Sequence, residues 1–132
     1  MNLDQLKIEY LKARTQFVLF NYHGEVLDSC DTLFKLKSKD FTVFDFFPLF
    51  DSIKDEIKSL SLSAGYVTYP MVEFLHADKG YILDLQLKRI EEHDVSGFIW
   101  IINDNTKVYQ PILNLKKAVN STLLKNDPTS LS

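Results

Sequence analysis

Gly97-Phe98-Ile99-Trp100-Ile101-Ile102-Asn103-Asp104-Asn105-Thr106-Lys107-Val108-Tyr109 is the stretch that decides how this chain reads. Its first half is short, continuously apolar and rich in β-branched and aromatic residues, the pattern of a strand buried on both faces. Asp104-Asn105-Thr106 follows, residues whose side chains bond nearby backbone groups and start helices. A polar helical segment then runs from Gln110 to about Lys125. A buried strand feeding straight into an exit helix can pass strain to that helix, with no slack linker between them.

Working outward, the residues before Gly97 supply the partners of that strand. Two long strands are expected at about Val67–His76 and Tyr81–Ile90, joined at Ala77-Asp78-Lys79-Gly80. The second alternates Leu83, Leu85 and Leu87 with Asp84, Gln86 and Lys88, so one face is dry and one wet. Glu91-Glu92-His93-Asp94 reads as a solvated turn into the final strand. Upstream, Phe17–Asn21 and Val26–Ser29 form a hairpin around Tyr22-His23-Gly24-Glu25, with Gly24 at the tight position. Between the strand groups lies a helical block. Asp31-Thr32 can cap a short piece through Leu36, Asp40–Phe50 holds half of the chain's ten Phe and is broken by Pro48, and Leu49–Leu62 spaces Phe50, Ile53, Ile57 and Leu60 as a helix ended by Gly65. Residues 3–14 form an amphipathic helix with Leu3, Leu6 and Tyr10 in its stripe, widened by Ile8 and Leu11. Pro111 suits the first turn of the exit helix. Hairpins separated by helices predict an α+β domain with one antiparallel sheet.

The chain of 132 residues is one domain, with a flanking helix at 1–14, a core at 15–106, an exit helix at 107–126 and a disordered tail or linker at 127–132. A net charge of −3 gives no reason to expect nucleic acid or an anionic membrane as partner. No apolar run is long enough to span a bilayer, and the N-terminus lacks the pattern of a signal peptide. The single Cys30 excludes an internal disulfide and fits a reducing cytoplasm. Read alone, Cys30 is a small buried hydrophobe. Metal-ligand spacing is absent, as are the phosphate-loop, nucleophile-elbow and zinc-protease motifs, so a non-catalytic module is expected.

The order of elements and their punctuation resemble a PAS domain over about Thr15–Asn126. The carriers are Gly24, the segment Phe44-Asp45-Phe46-Phe47-Pro48, the Asp78-Lys79-Gly80 turn and the closing Asp104-x-Thr106. The closing segment, from Trp100 through Asp104 and Thr106 to Tyr109, looks like that of PAS modules in bacterial sensor histidine kinases. The resemblance implies a five-stranded sheet of order 2-1-5-4-3 with helices over one face, flanking helices and a dimer partner over the other, and a two-component output. The family's flavin photosensors carry a Cys in the helical segment. Here that region is Asp40-Phe41-Thr42-Val43-Phe44, which does not favour flavin. Haem-binding members use a His on or after the long helix, and His76 sits elsewhere, which does not favour haem. The cofactor is left unknown.

In such a fold the core between helices and sheet is also where a ligand sits. Its lining is expected to be Phe98, Trp100 and Ile102 from the last strand, Leu83, Leu85 and Leu87 from its neighbour, and Phe44, Phe47, Ile53, Ile57 and Tyr69. Polar groups are scarce there, so a filled core or a small apolar ligand is expected. Asp104 and Thr106 are the expected relay, a helix cap that doubles as a hinge. Ile112, Leu115 and Val119 on the exit helix follow heptad-like spacing, with Thr122 next. With Leu3, Leu6, Tyr10, Ile99 and Ile101 they are the expected dimer interface. The expected function is a sensory or interaction module serving an effector that lies C-terminal or on a separate chain. The rivals are a ligand-free dimerisation module and a small α+β enzyme with a polar pocket.

Overall fold

A computed structural model describes residues 2–92 and 94–126, with residues 120–126 described by their backbone alone. His93 and the expected tail at 127–132 lie outside the described residues, as does the side chain of Thr122. The order is α1 (Leu3–Arg14), β1 (Thr15–Asn21), β2 (Val26–Ser29), α2 (Val43–Phe46), α3 (Pro48–Ser52), α4 (Lys54–Lys58), β3 (Val67–His76), β4 (Lys79–Glu92), β5 (Val95–Asp104) and α5 (Thr106–Asn126). The strands form one antiparallel sheet of order β2-β1-β5-β4-β3, as expected.

The first and last strands are neighbours at the centre of that sheet, Thr15 opposite Asn103 and Asn21 opposite Gly97. Both helical extensions are fused to these strands. α1 ends at Arg14 and β1 begins at Thr15, while β5 ends at Asp104 and α5 begins at Thr106. The two flanking helices therefore leave the sheet at one place. At Gly97 the backbone of β5 comes close to that of β1. A Cβ added at Gly97 would strike the carbonyl oxygen of Phe20.

Alternation sorts the side chains as the sequence predicts. Leu83, Leu85 and Leu87 of β4 and Phe98, Trp100 and Ile102 of β5 are buried on one face. They meet Phe44, Phe47, Phe50 and Ile57 from the helical block and Val18 and Phe20 from β1 in one core. Gly24 turns the first hairpin with φ +85, and a Cβ there would meet the Phe44 ring at 2.5 Å.

Several local expectations are corrected. No helix forms at 31–36. The fully buried Gln16 side chain accepts from the Leu33 and Phe34 amides at 3.0 and 2.8 Å. It also donates to Ser29 Oγ and the Phe34 carbonyl at 2.8 and 2.9 Å. Asp31, at φ 50, accepts from the Leu36 and Lys37 amides, so its cap closes a loop. Burial pushes the Asp31 carboxyl up, but those bonds and Ser29 outweigh it and hold it below its usual range.

The Leu49–Leu62 helix is split at Ile53 (φ −113, ψ 22) into α3 and α4. The Ser52 hydroxyl donates back to the Leu49 carbonyl at 2.7 Å, a local bond that competes with helix continuation. Ser59, not Gly65, caps α4. The β3–β4 turn is only Ala77-Asp78, both at positive φ (50 and 64), as a two-residue hairpin of type I′ requires. Lys79 and Gly80 already belong to β4. The exit helix begins at Thr106, so Pro111 stands in its interior, where it withholds a backbone donor from the Lys107 carbonyl. Cys30 is exposed, because it faces the outer side of the sheet beyond β2.

Candidate functional site

The β5–α5 joint is held by a cluster of polar bonds drawn from four parts of the chain. Asp104 Oδ1 accepts from the Thr106 amide at 3.1 Å and from its hydroxyl at 2.5 Å. Thr106 Oγ1 accepts from the Ile82 amide at 2.9 Å, and the Asn105 amide donates to the Ile82 carbonyl at 2.9 Å. The side chain of Thr106 thus extends the β4–β5 ladder one step past the end of β5. The Asn105 carbonyl receives the Val108 and Tyr109 amides, both at 3.0 Å, and starts the helix. Asp104 and Thr106, the residues expected to act as a relay, sit at the junction of β5 and α5.

Residues outside that local motif complete the clasp. Asp84, on the wet face of β4, accepts from Asn105 Nδ2 at 2.5 Å, from the Tyr109 hydroxyl at 3.0 Å and from the Met71 amide at 2.9 Å. Met71 has φ 53 and lies in the bulge between Tyr69 and Val72. The bulge aims its amide at Asp84. From the opposite side, Arg14 at the end of α1 donates to the Asp104 carbonyl at 2.6 and 2.8 Å and to Asn105 Oδ1 at 2.7 Å. Its guanidinium lies 4.3 Å from the centre of the Tyr10 ring. Thr15 Oγ1 donates to Asn103 Oδ1 at 2.8 Å. α1, β3, β4, β5 and α5 all converge here. The hydrogen bond to Asp84, then desolvation and the carboxylate's charge, push the Tyr109 phenol above its ordinary value.

The expected ligand lining is brought together as well. Phe44, Phe47, Ile57, Leu83, Leu85, Leu87, Phe98, Trp100 and Ile102 are buried in one cluster, with Ile53 and Tyr69 partly buried against it. The rings are in contact: Trp100 lies 4.5 Å from Phe50 and 5.3 Å from Phe47, centre to centre. Burial, then the charge of Glu56, pushes the Tyr69 phenol up. Trp100 Nε1 is buried without a hydrogen-bond partner among the described residues.

The expected interface residues all lie toward solvent. Leu3, Leu6 and Tyr10 are exposed on α1, and Ile112, Leu115 and Val119 on α5, while Ile99 and Ile101 are half-buried on the outer face of β5. A groove of about 730 Å³ runs between α1 and that outer face, lined by Ile8, Leu11, Phe17 and Ile101 among others. Cys30 borders it. Burial pushes the Cys30 thiol up, yet bonds from the Thr32 hydroxyl and the Phe17 amide outweigh that and leave it below its usual value. Among the described residues no three His, Cys, Asp or Glu side chains cluster as metal ligands, and no helix is long and apolar enough to cross a membrane.

Sequence reasoning found the local half of the clasp and missed Arg14, Asp84, Asn105 and Tyr109 as its partners. The available signals were an acid on a strand that pairs with the last strand, and an Arg directly preceding the first. No protein-family model matches the chain, and no curated protein matches it.

Proposed function

We propose that this chain is a non-catalytic sensory or protein-interaction module of the PAS type. A change in the packing or occupancy of its core shifts β5, and the Asp104–Thr106 clasp passes the shift to α5. The helix then alters the pairing of an effector, as in a two-component sensor histidine kinase of a bacterial cytoplasm. The observation that carries this reading is the clasp, in which the first turn of α5 is bonded to β4 and β5, and Arg14 of α1 is bonded to Asp104 and Asn105 just before it. The exposed thiol of Cys30 is compatible with a reducing compartment.

The module works as a homodimer in this account. Ile99 and Ile101 on the outer sheet face and the apolar residues of α1 and α5 leave a surface that a second copy covers. That same surface, beside a core of rings in contact, favours a second reading, a dimerisation module without ligand.

The two readings part in a double-mutant experiment. Ile102→Val removes one buried methyl from β5, worth about 0.5–1.5 kcal/mol. The relay predicts faster amide exchange in the first turns of α5, an effect that vanishes in a Thr106→Val background. An equal effect in both backgrounds, or none in either, leaves only the dimerisation module.

A further inference from the structure

Away from the core and the clasp, a cleft of about 430 Å³ opens where the loop before α2 meets the end of β3. Phe34, Phe41, Phe46 and His76 form its walls, and Lys35 and Lys39 line it. Phe34 and Phe46 meet His76 at 5.4 and 5.3 Å between ring centres, and Phe41 stacks on Phe46 at 5.6 Å. A further ring, Phe74, stacks on His76 from behind at 5.8 Å. The imidazole is thus oriented by three rings, while its nitrogens have no hydrogen-bond partner among the described residues.

The charge of this cleft is opposite to that of the whole chain. The chain carries a net −3, yet the lining contains two lysines and a histidine and no carboxylate. The one ion pair among the described residues joins Lys37 to Asp28, so neither Lys35 nor Lys39 is neutralised. Surface lysines alone are ordinary. Two unpaired lysines and an open imidazole nitrogen around half-buried rings have a joint chemistry. The rings accept a flat apolar face by stacking or edge contact, and the cations accept an anion attached to it. The volume lies at the low end of small-ligand sites, room for one or two fused rings.

We infer that this cleft binds a small planar aromatic carboxylate. The ring lies against the partly exposed Phe41, Phe46 and His76, with Phe34 as the floor beneath them, and the carboxylate accepts from Lys35, Lys39 and His76. The cleft has a route to the clasp, because His76 ends the strand whose bulge bonds Asp84 through the Met71 amide. That last step rests on the relay reading; the binding step does not.

The test is an amide-resolved NMR titration of the whole chain with 2-naphthoate, and with neutral 2-naphthamide as control. Saturable shifts at Phe34, Phe46 and His76 are expected, with affinity for the amide weaker by about tenfold or more. Lys35→Gln with Lys39→Gln, both exposed and tolerant of change, removes that discrimination. Equal affinity for the two probes, shifts centred on Phe17 and Ile101 in the outer groove, or no saturation in the millimolar range each overturns the site. Saturable binding at Phe34 and His76 with Tyr109 unmoved keeps the site and removes its link to the relay.

Discussion

The two faces of β5 are built from the same kind of residue and do opposite things. Phe98, Trp100 and Ile102 are at most 1% exposed, closed against the helical block. Ile99 and Ile101, between them, are only half-covered; Ile101 borders the groove with α1, and Ile99 a neighbouring hollow beside β1 and the end of β2. The inner face is over-determined, since many rings share each contact and no single one is free to move alone. The outer side is held by α1 and by a few directed bonds around Arg14 and Asp84. The proposed relay needs such a division, a fold that keeps its shape while its end helices shift. In that reading packing would supply the constancy, and a small number of polar bonds with alternatives in water the movable part.

The comparison breaks first if the inner face tolerates loss. Trp100→Ala should lower unfolding free energy by about 3–5 kcal/mol, read by urea denaturation, whereas Trp100→Phe should lose well under that, since Nε1 has no partner to lose. Similar losses for both would mean that the indole N–H is satisfied, and that the inner face is less dry than its lining implies.

The clasp should rank second. Asp84→Ala strands the Met71 amide and the Asn105 side chain, a loss of about 1–3 kcal/mol. Unlike Trp100→Ala, it should raise amide exchange mainly in the Met71 bulge and the first turn of α5. Uniform loss of protection across the sheet would erase the distinction between the two regions.

Much of the inner face is legible in the sequence, and little of the clasp is. The Leu83–Leu87 alternation has a period of two residues that only a half-buried strand explains, and Gly24 marks a turn that no other residue makes cheaply. Asp104 and Thr106 are readable because their bond spans two residues. The Arg14 bonds span 90 and 91 residues, and the Tyr109–Asp84 bond spans 25. No local pattern encodes such pairings. The break at Ile53 is hidden for a related reason: apolar spacing reports which face a side chain occupies, not whether the backbone between is continuous. Cys30 is exposed where its residue type suggests burial, because burial statistics describe a residue type, while the end of β2 dictates where this one points.

A smaller effect sharpens the role of Tyr109. Its folded-state pKa is raised, so the fold favours the protonated phenol. The contribution is complete below the ordinary tyrosine value of about 10 and is lost as pH rises through the raised one. Protection of α5 should therefore fall at alkaline pH, and Tyr109→Phe should remove that step. A step that persists in the variant belongs to another group.

The smallest effect on folding should come from the exposed helix face. Leu115→Ser should change monomer stability by no more than about 0.5 kcal/mol. In sedimentation it should weaken self-association if α5 joins the dimer interface. Unchanged association would leave α5 outside the proposed dimer interface.

The central claim is that α1 and α5 are bonded to one another through the end of the sheet, and Arg14→Gln tests it most directly. Amide exchange should quicken in α5 from Val108 to Leu113, more than 90 positions from the change, while Leu85, Trp100 and Ile102 in the inner core keep wild-type protection. Unaltered exchange in α5, or a loss spread evenly through the core, would contradict it.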